Sequence, residues 1–270
     1  MGSRTWVLLL VAVCVGARLS GAATLLPLDA EDASLLPPGM MEVYVGANGA
    51  WDVQPLFRDE ERDEWSAPSI GISTGLGTRA EAQLRWELLA IESDGGSWKY
   101  GAGDARLFTK VRVFSESEYE LSWLPATAVH FGVKLPNASR ADGFGTDETD
   151  VFGSVLLSRS LGPMRLHGNL GIGILGNPGP FGRQDDLILY DAAAVVPGLA
   201  RWSDAALSLF AEVGGGAESG PADRHRARLG ARLDTESVAG YVGASAGLDD
   251  HSEDFGIRFG VIVRLRVFSE

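Results

Sequence analysis

From about residue 41 onward, apolar and polar residues alternate one for one in stretches of roughly ten, the signature of strands with two chemically different faces. In "GAGDARLFTKVRVF" (101–114), Asp104, Arg106, Lys110 and Arg112 hold even positions, and Ala105, Leu107, Thr109, Val111 and Val113 hold odd ones. "AEAQLRWELLAI" (80–91) sets Glu81, Gln83, Arg85 and Glu87 against Ala82, Leu84, Trp86, Leu88 and Ala90. "RARLGARLD" (226–234) and "MRLHGNLGIGI" (164–174) repeat the arrangement, sending Arg228 and Arg232, and Arg165 and His167, to one side. The alternation predicts about twelve strands: 41–49, 69–76, 80–91, 103–114, 125–135, 149–161, 164–175, 187–196, 204–214, 226–235, 237–248 and 255–268. The phase is ambiguous in 149–161 and 187–196.

The connections carry the second signal. Short ones ("GTR" at 77, "GP" at 162, "TE" at 235, and the moderate "PGLARWS" at 197) alternate with long polar ones such as "PNASRADGFGTDET" and "GGAESGPADRHRA". The exception is "SESEYELSW" (115–123), long where a short turn is expected. Short turns on one rim and long loops on the other describe an all-β, transmembrane, antiparallel up-and-down β-barrel, its apolar face toward lipid and its charged face toward a wet lumen. Closure leaves no unpaired strand edge in hydrocarbon. A soluble sandwich or lipocalin-like barrel needs bulky residues on the apolar face to fill a core, and here that face is rich in Ala, Gly and Val.

Composition agrees. Of 270 residues, 45% are hydrophobic and 22% charged, which is not a disordered composition, and the formal charge of −13 speaks against nucleic acid as a partner. Arg4 followed by "WVLLLVAVCVGA" (6–17) and the small residues of "LSGAA" (19–23) predicts a cleaved signal peptide over 1–23. The single cysteine, Cys14, lies within it, so the exported protein has no thiol and no disulfide. Residues 24–40 form a periplasmic leader before a barrel of 41–268. The sequence leaves open whether that leader, or a loop, folds inward as a plug.

Catalytic and metal motifs are weak. "GISTG" (71–75) and "GASAG" (243–247) match the nucleophile elbow but lie in strand patterns with no helix after the turn. "GIGILG" (171–176) is a literal G-x-G-x-x-G that runs into "NPGP" rather than opening a helix. The four histidines show no zinc spacing, and the acidic runs at 58–64 and 249–254 lack calcium-loop spacing. No metal, cofactor or catalytic residue is expected. A barrel enzyme would need a serine or carboxylate beside His130 or His167.

"PLDAEDASLLPPGMMEVYVG", "GAGDARLFTKVRVF", "ATAVHFGVKLP", "GTDETDVFGSVLLSRSLG" and "LHGNLGIGI" occur in that order. Together they resemble the outer-membrane porins of the MetA-pathway phenol-degradation family. The resemblance implies a twelve-stranded outer-membrane barrel of a Gram-negative bacterium for passage of small compounds, hydrophobic or aromatic ones included.

The resulting expectation is a passive outer-membrane channel, with a membrane-embedded lipid hydrolase or a structural barrel with a plugged lumen as alternatives. Its partners are outer-membrane lipid and lipopolysaccharide, the outer-membrane assembly machinery and a small-molecule solute. The lumen-lining candidates are Glu81, Arg85, Glu87, Asp104, Arg106, Lys110, Arg112, His130, Lys134, Arg165, His167, Arg228, Arg232, Arg258 and Arg264. Basic positions outnumber acidic ones on that face, so an open pore should prefer anions. Two pairings are also expected. Strands 80–91 and 103–114 should set Glu87 opposite Arg106 and Gln83 opposite Lys110, and the last strand should close on the first near Glu42 and Arg264 or Arg266.

Overall fold

The computed structural model describes residues 29–267, apart from 56, 58–59, 94–95, 117–122, 178–183 and 219–222. The predicted signal peptide, Cys14 and most of "SESEYELSW" lie outside the described residues. The strands are β1 (Met40–Val53), β2 (Arg62–Gly75), β3 (Ala80–Ser93), β4 (Lys99–Ala102), β5 (Arg106–Phe114), β6 (Ala126–Lys134) and β7 (Asp150–Leu161). They continue with β8 (Met164–Gly176), β9 (Gln184–Arg201), β10 (Ala206–Glu218), β11 (Arg224–Asp234), β12 (Val238–Gly247) and β13 (Phe255–Arg266). Each pairs antiparallel with its sequence neighbour, and β1 pairs with β13 from Met40 opposite Arg266 to Trp51 opposite Phe255. Since β4 and β5 are two pieces of one strand along β3, the result is a closed, antiparallel, twelve-stranded barrel of the outer-membrane type.

The faces are inverted relative to a soluble protein. Outward Leu170 and Leu229 are 63% and 66% exposed, whereas inward Glu42, Glu81 and Lys110 are completely buried. Burying those charges inside while exposing leucines outside is favourable only where the outside solvent is hydrocarbon. On the long-loop side, Trp51 packs edge-on to Trp65 and stacks on Phe255, across the three strands at the closure. Rings at that height suit the interface between lipid tails and head groups.

Irregularities fall where the ladder must bend. Ala67 and Pro68 lie in a bulge of β2 between Ser66 and Ser69, where the proline's missing N–H costs no ladder bond. The "PGLARWS" connection is shorter than the sequence suggests. β9 continues to Arg201, absorbing Pro197 and Gly198 (φ +62°) opposite a register shift in β10, and the turn spans only 202–205.

The expected closure is observed, with Glu42 opposite Arg264. The expected β3–β5 register is not. Glu81 faces Lys110, Gln83 faces Phe108 and Arg85 faces Arg106. The chain breaks its ladder at 103–105, where the Gly103 N–H donates to the Glu87 carbonyl (2.9 Å) and the Ala105 N–H to Asn137 Oδ1 (2.8 Å). The displacement is an even number of residues, so every side chain keeps its face.

Candidate functional site

The interior is occupied by the chain's own leader. Gly39 (φ +73°) turns the backbone inward just before β1, and its carbonyl accepts from the Val267 N–H (2.8 Å). Gly75 makes room for the entry: a Cβ there would lie 2.3 Å from the Pro37 carbonyl oxygen and 2.6 Å from that of Leu36. From Leu36 back to Asp29 the segment crosses the lumen, and wall side chains take its backbone donors. The Leu36 N–H donates to Glu81 (2.8 Å), the Ala33 N–H to Ser158 Oγ (2.9 Å) and the Ala30 N–H to Glu212 (2.7 Å). Asn169 suits both polar groups of the Glu31 backbone, with its amide oxygen toward the N–H (2.6 Å) and its nitrogen toward the carbonyl (3.1 Å). A buried donor left unmatched would cost about 1–3 kcal/mol, so these acceptors hold the segment in one register.

Small inward residues shape the bed. Ala33 packs among Ala126, Ala128 and Leu156, and Ala30 among Ala193, Val195 and Phe210. Three carboxylates then fan out to three parts of the wall. Asp29 pairs with Arg228 on β11 (2.5 Å) and approaches Arg258 on β13 (3.6 Å). Glu31 pairs with Arg85 on β3 and approaches Lys110 on β5 (3.5 Å). Asp32 is held by two guanidinium nitrogens of Arg165 on β8 (2.9 and 3.2 Å), while the Lys110 ammonium donates to its carbonyl (3.1 Å). Lys110 also meets Glu81 (3.3 Å), and Arg228 meets Glu212 (3.0 Å), so wall and leader share two charge clusters, one around Lys110 and one around Arg228.

The other candidates divide between the two rims. Toward the short turns, Arg264 bonds Glu42 (3.1 Å) and Asp234 (2.6 Å), Arg232 bonds Asp234 (2.8 Å), and Arg112 donates to the Thr78 carbonyl (2.7 Å). Toward the long loops, Lys134 joins Asp150 (2.7 Å) and Asp104 (3.5 Å), and Asp104 accepts from the Asn137 and Ala138 N–H groups (3.1 and 2.9 Å). These contacts tuck loop 135–149 inward, with Phe144 and Ala138 packed on Leu89 and Ile91. Glu87 and Arg106 lie 3.6 Å apart beneath the mouth. His130 stacks on Phe108 (centroids 4.7 Å apart) and meets Gln83 (3.3 Å).

His167 lies 2.9 Å from Ser158 Oγ through Nδ1 and 4.0 Å from Asp32 through the same nitrogen. A hydrolytic triad needs serine and carboxylate on opposite ring nitrogens. Here the serine instead holds the leader's backbone.

Beyond Asp29, toward the long loops, lies an open cavity of about 420 Å³ lined by Tyr44, Arg85, Arg106, Tyr241 and Arg258 among others. Tyr44 and Tyr241 stack at 5.9 Å. The residues that sequence reasoning missed are the leader's own Asp29, Glu31 and Asp32, with Ser158 and Asn169 opposite them. Asp29, Glu31 and Asp32 stand ahead of the alternating region, so strand periodicity says nothing about them.

No protein-family model and no curated protein matches the sequence. Solved structures do match. A COG4313 outer membrane channel from Pseudomonas putida F1 aligns with a TM-score of 0.62 at 14% identity, covering 88% of this chain and all of that one. The porin NanC aligns with a TM-score of 0.50 at 11% identity, covering 83% of this chain and all of its own. LpxR from Salmonella typhimurium aligns with a TM-score of 0.49 at 9% identity, covering 83% of this chain and 99% of that one. At these identities the likeness is one of fold.

Proposed function

We propose that this barrel is a passive channel for small solutes in the outer membrane of a Gram-negative bacterium, reached by signal-peptide export and the outer-membrane assembly machinery, and surrounded there by lipid and lipopolysaccharide. The observation that carries the reading is a closed barrel whose axis is lined with ion-paired, hydrogen-bonding side chains rather than a dry apolar filling, with an open cavity at its long-loop mouth. A structure built only to anchor would gain more from apolar packing, because burying ion pairs costs desolvation that their attraction barely repays. That its fold neighbours include an outer membrane channel and a porin supports the same reading.

The lumen candidates form the conduction path, with the docked leader setting its conductance. Once the leader is out, the inward arginines and lysines give the pore its anion preference. The MetA-pathway resemblance adds hydrophobic or aromatic compounds to the possible cargo. The barrel is read as having no enzymatic activity, since the side-chain contact between Ser158 and His167 faces the lumen, behind the leader and away from lipid.

Planar-bilayer recordings test the reading. The full chain should show small, infrequent openings, and a variant lacking residues 29–36 larger, anion-preferring ones. Absence of conductance in both would overturn the channel, and hydrolysis of a lipid analogue would favour the enzyme. A cation preference surviving molar salt would overturn the charge assignment.

A further inference from the structure

The leader binds as a guest in a site that has its own chemistry. Within four residues it presents three carboxylates on separate arms, met by Arg228 and Arg258, by Arg85 and Lys110, and by Arg165. Between those cations the wall offers neutral polar groups, Ser158 and Asn169, that now serve leader amides. Nothing in these contacts requires a polypeptide. Any compact molecule with carboxylates on separate arms meets the same cations, and hydroxyl or amide donors between the arms take the place of the leader N–H groups that Glu81 and Glu212 now accept. Tyr44 and Tyr241 wall the cavity that leads to the site from the long-loop side, where a solute would arrive.

We propose that this ring of Arg85, Lys110, Arg165, Arg228 and Arg258 is a binding site for small polycarboxylate solutes, which exchange with the leader for the same cations. The inference rests on the channel reading and names its substrate class. The leader is tethered through Gly39 to β1, and a short tether places a segment at an effective concentration of about millimolar. A monoanion such as acetate or chloride displaces one carboxylate at a time while the other two hold. A polycarboxylate engages several cations at once and competes on equal terms.

The test uses the full chain in proteoliposomes with Leu35→Cys as a reporter, in a Cys14→Ser background. Leu35 is half-buried, and none of the leader's hydrogen bonds to the wall involves its side chain. Its reaction rate with a bulky maleimide measures how often the leader leaves the lumen. Citrate, sulfate, acetate and chloride are titrated at matched ionic strength. Citrate should accelerate labelling at a concentration at least about tenfold below that of acetate. Arg165→Gln should raise the rate without added anion and narrow the gap between citrate and acetate. Arg85→Gln serves in its place should that variant not fold. If all four anions fall on one curve against ionic strength, the effect is screening and the site is overturned. If labelling ignores every anion, the leader is fixed and the exchange is overturned. Flux measured in the same vesicles separates the two ideas: an anion-specific labelling response without flux keeps the site and removes the channel, and flux without such a response does the reverse.

Discussion

Lys110→Met tests the charge cluster around Lys110 at its most buried point. The ammonium lies 3.3 Å from Glu81, 3.5 Å from Glu31 and 3.1 Å from the Asp32 carbonyl, with no exposed side-chain surface. Methionine fills a similar volume but strands two carboxylates. Glu81 retains Gln83 (2.8 Å) and the Leu36 N–H (2.8 Å), and Glu31 retains Arg85. Breaking a buried pair typically costs about 3–5 kcal/mol, and the lower end applies because these partners keep other donors. The cost falls on leader docking rather than on the barrel, whose ladders are untouched. A loss of about 3 kcal/mol is a factor of roughly 150 in the docking equilibrium. Hydrogen exchange reads it directly: the amides of Ala30, Ala33 and Leu36 should exchange about a hundredfold faster, with strand amides unchanged. Adding Glu31→Gln should cost less than the sum of the two single changes, by about 1–3 kcal/mol, because the residues share one interaction. Unchanged leader exchange, or strand amides accelerated equally, would refute the reasoning.

Gly75→Val should expel the leader, since its Cβ meets the Pro37 carbonyl, whereas Gly153→Ala, with open space around the added atom, should be silent; single-channel conductance separates the two. Glu42→Cys with Arg264→Cys should crosslink under oxidation while Glu42→Cys with Arg266→Cys lags, because the first pair is directly opposed at the closure and the second is offset by two residues. Equal rates would contradict the register. Phe144→Ala should free loop 135–149 from Leu89 and Ile91, seen as faster proteolysis within the loop with the folded barrel's gel mobility retained.

The barrel was legible because lipid and lumen impose opposite demands on alternate residues. Every predicted strand has a counterpart, and the β3 and β5 faces emerge as the alternation implies. The two strands of ambiguous phase, β7 and β9, blur for a physical reason. Their inward faces carry Leu156, Ala193 and Val195, which pack against the leader. A wall that meets a packed segment there needs no polar face, so the period-two signal disappears where the plug makes apolar contact. Arg228 and Arg165 were visible as inward charges, but their partners Asp29 and Asp32 stand far away in sequence. The β3–β5 register was hidden because the break at 103–105 is held by Asn137 in a distant loop as well as by the Glu87 carbonyl of β3.

Residues 29–39 run without interruption into β1, and β1 forms the seam with β13. The segment therefore reaches the interior beside the last gap to close, and while the seam is open it can enter sideways rather than thread through a finished ring. During that interval Glu81 and Glu212 on the wall offset part of the positive charge of Lys110 and Arg228, and the leader's Asp29, Glu31 and Asp32 bring further negative charge to those residues, Arg165 and Arg258. A tethered string of carboxylates arriving with the first strand acts as an internal former around which those like charges can be brought together. A barrel assembled without it should close more slowly, even where its final strand pairing is the same.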